Sequence, residues 1–188
     1  DLLDRIVDEL GDKPPRADEV DSVRVAVIGR PNVGKSSLVN RMLGDQRVIV
    51  SDVAGTTRDA IDTEVEIDGR HITLVDTAGL RRKSKVAGSV DHYAQLRSER
   101  AIERADVALI VCDAQEGLRS EDLKVGEVAM KAGCATMIVM NKWDITETDI
   151  DDTRARVARK MRLRPEAVTA SALSGRNAAG LLTRAVVL

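Results

Sequence analysis

Gly29-Arg30-Pro31-Asn32-Val33-Gly34-Lys35-Ser36 has the form G-x-x-x-x-G-K-[ST], the spacing of a phosphate-binding loop. Glycines at its two ends let successive backbone N–H groups turn inward around phosphate oxygens. Lys35 is placed to reach the outer phosphates, and the Ser36 hydroxyl to hold a Mg²⁺ that bridges them. The flanks agree with this reading. Val23-Arg24-Val25-Ala26-Val27-Ile28 reads as a strand entering the loop. Leu38, Val39, Met42 and Leu43 form a helical stripe leaving it, closed by Gly44. The phosphates then sit at a helix N-terminus, where free N–H groups and the helix dipole favour anions. A chance glycine-rich turn is the competing explanation, and an eight-residue match between a strand and a helix argues against it.

With 188 residues the chain has room for one well-buried α/β domain and some residues over. Its 32% charged and 43% hydrophobic residues are those of an ordinary globular protein. A net charge of −2 gives no global pull toward nucleic acid or an anionic membrane. No apolar run approaches the ~20 residues of a membrane span, and no signal-peptide pattern opens the chain. A cytoplasmic setting without membrane attachment is therefore expected. Cys112 and Cys134 lie in apolar stretches and read as buried thiols rather than as a disulfide or metal site. Phe is absent, and Tyr93 and Trp143 are the only aromatic residues. The core must come from Val, Ile, Leu, Ala and Met, and stacking platforms for single-stranded nucleic acid are missing.

The chain begins in a helical pattern, with Leu2, Leu3, Ile6, Val7 and Leu10 on one face, ended by Gly11 and Pro14-Pro15. So short a helix is marginal alone. Its Leu-Leu-x-Arg pattern returns at Leu181-Leu182-Thr183-Arg184, as though it closed a preceding domain of the same type; two unrelated amphipathic helices would look alike. Residues 45–60 show no regular pattern. Ile61, Thr63, Val65 and Ile67 then alternate with acidic residues as a half-exposed strand, and Asp68-Gly69 signals a hairpin back into Ile72-Thr73-Leu74-Val75. A helix carrying Ala94, Ala101, Ile102 and Ala105 follows. Val107–Cys112 and Ala135–Met140 are apolar throughout, as strands covered on both faces are. Between them a helix begins at Ser120 with Glu121 and Asp122 in its first turn. A charged helix over roughly 151–162, a short strand at Val168-Thr169-Ala170 and a last helix complete the chain. The alternation predicts an α/β fold: a mostly parallel, six-stranded sheet with one antiparallel edge strand and helices on both faces.

Three further motifs fall at strand ends, where open α/β sheets bind ligands. Asp76-Thr77-Ala78-Gly79 offers a carboxylate to hold Mg²⁺ through water and a Gly79 N–H for the γ-phosphate. Asn141-Lys142-Trp143-Asp144 selects the base. Guanine presents N1–H and a 2-amino group on one edge, and the Asp144 carboxylate accepts from both. Adenine offers neither donor and leaves the carboxylate unpaired, which costs more than the ~1–3 kcal/mol of a neutral group. Asn141 and Lys142 brace that loop, with the lysine stem against the base, and Trp143 is read as packing. Ser171-Ala172-Leu173 ends the last strand, with the Ala172 N–H placed for the guanine oxygen.

The set Gly29–Ser36, Thr56-Thr57, Asp76–Gly79, Asn141–Asp144 and Ser171–Leu173 resembles the five motifs of translation-factor-class GTPases. Gly55-Thr56-Thr57-Arg58-Asp59 and Pro31-Asn32 resemble the branch containing Era, MnmE and Der. Asp76–Val86, with Tyr93, Arg97 and Ala101–Val107, is similar to the second G domain of the Der (EngA) family, ribosome-assembly GTPases of bacteria with two tandem G domains and a KH-like domain. The resemblance covers about residues 23–184; Asn177, where that family usually has Gly, is a small departure in the last loop.

It implies a G domain over 23–188, with 1–22 as the tail helix of a preceding G domain plus linker. It extends the nucleotide contacts to Ser37 and Leu80, and it implies Mg²⁺-dependent hydrolysis of GTP to GDP with 51–60 and 76–93 as switches. Lys35, Thr57, Gly79 and Asn32 become the catalytic group: Thr57 completes the Mg²⁺ shell and its carbonyl positions water. Leu80 stands where many GTPases keep a water-orienting Gln. Asn32, with carbonyls of 51–57, is implied to bind K⁺ as the missing catalytic charge; a loop-shaping hydrogen bond is its other reading. The implied partners are the large ribosomal subunit and its RNA. The basic run Arg81-Arg82-Lys83-Ser84-Lys85 is either an rRNA or domain contact or a solvated loop, and His71 and His92 read as surface residues. A tRNA-modification GTPase, or a nucleotide-gated interaction module with negligible hydrolysis, are the alternatives.

Overall fold

The computed structural model describes residues 22–45, 48–51, 62–77, 80 and 90–188. The expected opening helix, the Thr56-Thr57 segment, Ala78, Gly79 and the Arg81–Lys85 run lie outside them.

In chain order the described elements are β1 (Val23–Ile28), α1 (Lys35–Leu43), β2 (Val48–Ser51), β3 (Thr63–Ile67), β4 (Arg70–Val75), α2 (Val90–Glu103) and β5 (Val107–Asp113). They continue as α3 (Ser120–Lys131), β6 (Ala135–Asn141), a 3₁₀ turn (Trp143–Ile145), α4 (Ile150–Lys160), β7 (Glu166–Thr169) and α5 (Gly180–Ala185). They build one seven-stranded sheet in the order β2-β3-β4-β1-β5-β6-β7. β4, β1, β5, β6 and β7 are parallel, and β3 is antiparallel to both of its neighbours.

The α/β class, the parallel body and the Asp68-Gly69 hairpin match expectation. Asp68 and Gly69 both take positive φ, 51° and 74°, the type I′ geometry whose twist suits a two-residue hairpin. The strand count needs correction: β2 is a seventh strand, where no regular pattern is visible in the sequence. It pairs Val48 with Ile67 and Ser51 with Glu64, so β3 lies one strand in from the edge. α4 also ends two residues early, because Met161 takes extended backbone at φ −116° and ψ 123°.

The strand residues explain the layering. Along β1, Val25 and Val27 face one side with α1 and α5, where Leu38, Val39, Met42, Leu181 and Leu182 pack. Ala26 and Ile28 face the other side with α2, α3 and α4, meeting Ile102, Leu123, Ala129, Val157 and Met161. β5 is buried at every position, as its unbroken apolar run requires. Each fully buried Leu, Ile or Met contributes about 1.5–3 kcal/mol, so the strands that carry the loops are held rigidly from both faces. Cys112 and Cys134 are free and buried, one in each of two apolar stretches. Among the described residues no helix is long and apolar enough to cross a membrane.

Candidate nucleotide-binding site

The C-terminal ends of the five parallel strands share one edge of the sheet, and the loops leaving β1, β4, β6 and β7 carry the four motifs expected there.

The first loop is shaped by two glycines that tolerate no side chain. Gly29 takes φ 146°, and a Cβ there would lie 2.2 Å from the Val111 carbonyl oxygen. Gly34 takes φ 94°, and its Cβ would meet Asn141 Nδ2 at 2.4 Å. α1 starts directly behind, with Leu38 N–H donating to the Gly34 carbonyl at 2.9 Å and no acidic residue in the first turn. Its N-terminus therefore keeps its full attraction for an anion. Pro31, Asn32, Ser36 and Ser37 are exposed, and Val33 anchors the loop at 2% exposure. Lys35 Nζ donates to the carbonyls of Gly29 at 2.8 Å and Arg30 at 2.6 Å, folded over the cradle it would share with phosphates. Burial pushes its pKa down to about 8.

Asn141 joins three loops. It is 1% exposed; its Nδ2 donates to the Val33 carbonyl at 2.8 Å, and its Oδ1 accepts from the Ala172 N–H at 3.1 Å. One amide thus ties the Gly29–Ser36 loop, the Asn141–Asp144 loop and the Ser171–Leu173 loop together. Lys142 takes φ 63° and its Nζ reaches Asp113 Oδ2 at 2.5 Å. Burial pushes the Asp113 carboxyl up, but hydrogen bonds from Lys142 and the Gln115 N–H outweigh it and hold the group below the usual carboxylate range. The Trp143 N–H donates to Ala170 O at 3.1 Å and its ring packs on the core, while Asp144 is left exposed beside the loop. Ser171 is fully buried and its Oγ accepts from the Ser174 N–H at 3.0 Å, so it shapes its turn. Leu173 is 78% exposed.

On the other flank Asp76 takes φ 54°, and its N–H donates to Asp62 Oδ1 at 3.0 Å. Thr77 is buried, with its hydroxyl 2.7 Å from that of Thr63. Arg104 pairs with Asp62 from behind. Leu80 is half-buried against the core. Among the described residues no cluster of three His, Cys, Asp or Glu could hold a metal by itself. One exposed hydroxyl at Ser36 and one carboxylate at Asp76 nevertheless suit Mg²⁺, which is bound by few protein oxygens together with phosphates and water.

Two supports escape sequence reading. Arg30 Nε donates to Asp122 Oδ1 at 2.9 Å and Nη1 to Glu116 Oε2 at 2.7 Å, and Asp122 is fully buried. Burial disfavours the Arg30 cation, but those two carboxylates outweigh it and raise its pKa. Asp122 also accepts from the Arg119 N–H at 2.8 Å, capping α3. Arg41, on the last turn of α1, donates to the carbonyls of Ala172 at 3.0 Å and Leu173 at 2.5 Å. Nothing in the local patterns around Arg30 or Arg41 marks partners 92 and 131 positions away.

A phosphate-loop motif and an Asn-Lys-x-Asp loop clamped by one buried amide, on one edge of a doubly covered parallel sheet, define a P-loop domain of the GTPase class. The chain belongs to the family described as 50S ribosome-binding GTPase, whose model matches residues 24–142. It is 51% identical over 149 residues to GTPase Der of Prosthecochloris aestuarii, covering 79% of this chain and 34% of that protein. It is 52% identical over 164 residues to GTPase Der of Pelotomaculum thermopropionicum, covering 86% and 37%. The chain thus spans about a third of the length of these curated relatives. Among solved structures it is similar to Era in complex with MgGDPNP and a segment of 16S ribosomal RNA, at TM-score 0.65 and 29% identity, covering 87% of this chain and 55% of that one. Era of Aquifex aeolicus bound to GDP and aluminium fluoride gives TM-score 0.63 at 30% identity, covering 86% and 55%.

Proposed function

We propose that this domain binds GTP along the shared strand edge, hydrolyses it to GDP and phosphate, and acts as a switch in assembly of the large ribosomal subunit in the bacterial cytoplasm. The observation that carries the reading is the Asn141 bridge, which sets the base loop at a fixed place relative to the phosphate cradle. Gly29–Ser37 wrap the phosphates, with Lys35 exchanging its two carbonyl partners for phosphate oxygens. Asp144 accepts from guanine N1–H and the 2-amino group. The Ala172 N–H, which donates to Asn141 Oδ1, would share or exchange that acceptor for the guanine oxygen, leaving the Asn141–Val33 bond to hold the base loop against the phosphate cradle. Asn141, Lys142, Trp143, Ser171 and Leu173 shape that pocket.

Ser36, Asp76 and Thr57 are the residues to hold Mg²⁺, which supplies positive charge against the β- and γ-phosphates. Thr57 and the Gly79 N–H are assigned to positioning water and the γ-phosphate. Leu80 packs on the core and has no group to orient water. Asn32, exposed at φ 64°, is assigned to K⁺, which supplies the charge an arginine finger gives elsewhere. Residues 1–22 are assigned as the tail of a preceding G domain with its linker, and a KH-like domain as the unit that follows. The Der relatives favour this setting over a tRNA-modification enzyme. Single-turnover GTP hydrolysis tests the K⁺ assignment: about 10²-fold faster in K⁺ than in Na⁺ at equal ionic strength is expected, and equal rates would remove K⁺ from the mechanism.

A further inference from the structure

α4 and the turn behind it carry a charge pattern that the nucleotide site does not use. Six of the thirteen residues 153–165 are Arg or Lys, none is Asp or Glu, and the chain as a whole has a net charge of −2. Arg156, Arg159, Lys160, Arg162 and Arg164 are all exposed. Among the described residues none of the five forms an ion pair. Of the flanking acids, Asp151 is held by Arg154 at 2.9 Å and Glu166 by Arg184 at 3.3 Å, while Asp152, exposed in the first turn of α4, offsets one of these charges. Arg156, Arg159 and Lys160 line a shallow concavity of about 430 Å³.

A solvated helix face usually mixes signs, as α3 does with Glu121, Lys124, Glu127 and Lys131. Complementing the helix dipole explains Arg159 and Lys160 in the last turn of α4. It does not explain Arg156 in mid-helix, nor Arg162 and Arg164 beyond the end.

We propose that the outer face of α4 and the turn after it, residues 154–164, form a docking surface for the phosphate backbone of duplex RNA, independent of the bound nucleotide. The inference rests on the ribosomal part of the function proposed above and adds where this domain touches RNA. Arginine predominates five to one over lysine there, and its planar guanidinium suits phosphate oxygens. The aromatic platforms that single strands need are missing, which leaves backbone recognition of a duplex. An anionic membrane fits less well. Val157 and Met161, the apolar side of α4, are buried at 2% exposure, leaving Leu163 as the large exposed apolar residue of the segment, whereas helices that lie on membranes insert an apolar face. Position accounts for nucleotide independence. β6 ends at the site edge and α4 runs back to the start of β7, so Arg159–Arg164 lie at the opposite edge of the sheet from the phosphate loop.

The test is fluorescence anisotropy of the full chain on a labelled RNA duplex across a KCl series, with GDP and with a non-hydrolysable GTP analogue. Arg156→Gln/Arg159→Gln/Lys160→Gln removes three cations and should reduce the log–log salt slope by about 2–3 and weaken binding about tenfold at 0.1 M salt. The loss should be equal in both nucleotide states, with GDP affinity unchanged, which also reports an intact fold. Arg162→Gln/Arg164→Gln should lose about 1–2 from the slope, and Lys124→Gln/Lys131→Gln should lose none. A wild-type slope in both α4-region variants would overturn the proposal. So would a wild-type chain that ignores the duplex, or one that binds phosphatidylglycerol vesicles in its place. None of these outcomes bears on GTP binding, which nucleotide titration decides separately.

Discussion

Lys35 sits between two demands, since the cradle that buries it also disfavours its charge. Burial in the protein puts its pKa at about 8, and phosphate oxygens in contact would raise it. Binding then takes up protons, and affinity falls as pH rises from 8 toward the bound-state pKa. Calorimetry of GDP binding at pH 8 in buffers of different ionisation enthalpy should report uptake of about half a proton; no buffer dependence would contradict it. The same burial makes the stability of the fold depend on pH. The pKa is lowered from 10.5 in the folded state, so the unfolded chain holds more protons between 8 and 10.5, and this residue's contribution to stability rises with pH across that window. Asp122 is the other residue whose loss reaches the phosphate loop. Asp122→Ala strips Arg30 of a fully buried partner and uncaps α3, and denaturant titration should show about 2–4 kcal/mol lost. The Gly, Lys, Ser and Asp of the motifs stand out in the sequence because local spacing alone defines those motifs. Asp122 read only as a first-turn acid, because its partnership with Arg30 is created by folding across 92 positions.

Among the elements, the strand-to-loop transitions bear the function. Gly29→Ala places a methyl 2.2 Å from a carbonyl of β5, backbone that both core layers hold still. The variant should lose nucleotide binding in an equilibrium titration even if it folds; wild-type affinity would show that the loop can move. Asn141→Ala leaves the Val33 carbonyl and the Ala172 N–H without their amide partner, at about 1–3 kcal/mol for the buried carbonyl and less for the part-buried N–H. It should also weaken GDP binding without altering Lys35. β5 and β6 were legible as unbroken apolar runs and the hairpin from Asp68-Gly69, since burial on both faces and positive φ each leave a mark in residue type. β2 left little. It is four residues long and exposes Ile49 at 62% and Val50 at 38%. It is defined by backbone pairing to β3 rather than by a buried face, and periodicity reads faces.

At the scale of the molecule, two core layers hold one sheet, and its edge gathers loops from positions 29 to 173. Motif order along the chain was enough to anticipate that gathering, because parallel strands joined through helices bring their C-terminal ends to one side. The helix supports behind the loops were not anticipated, since Arg30 and Arg41 act through carboxylates and carbonyls that any sequence could supply. The central claim is that this edge reads guanine at one end and phosphates at the other. Competition of GTP, ATP and XTP for the wild-type chain and for Asp144→Asn tests it most directly. Xanthine carries a keto group where guanine has its 2-amino group, so an amide at position 144 can donate where the carboxylate accepted. The account predicts that wild type binds GTP and not ATP, and that the variant loses GTP about 10²-fold or more while gaining XTP. ATP competing equally with GTP on the wild type, or a variant with unchanged GTP affinity, would contradict it.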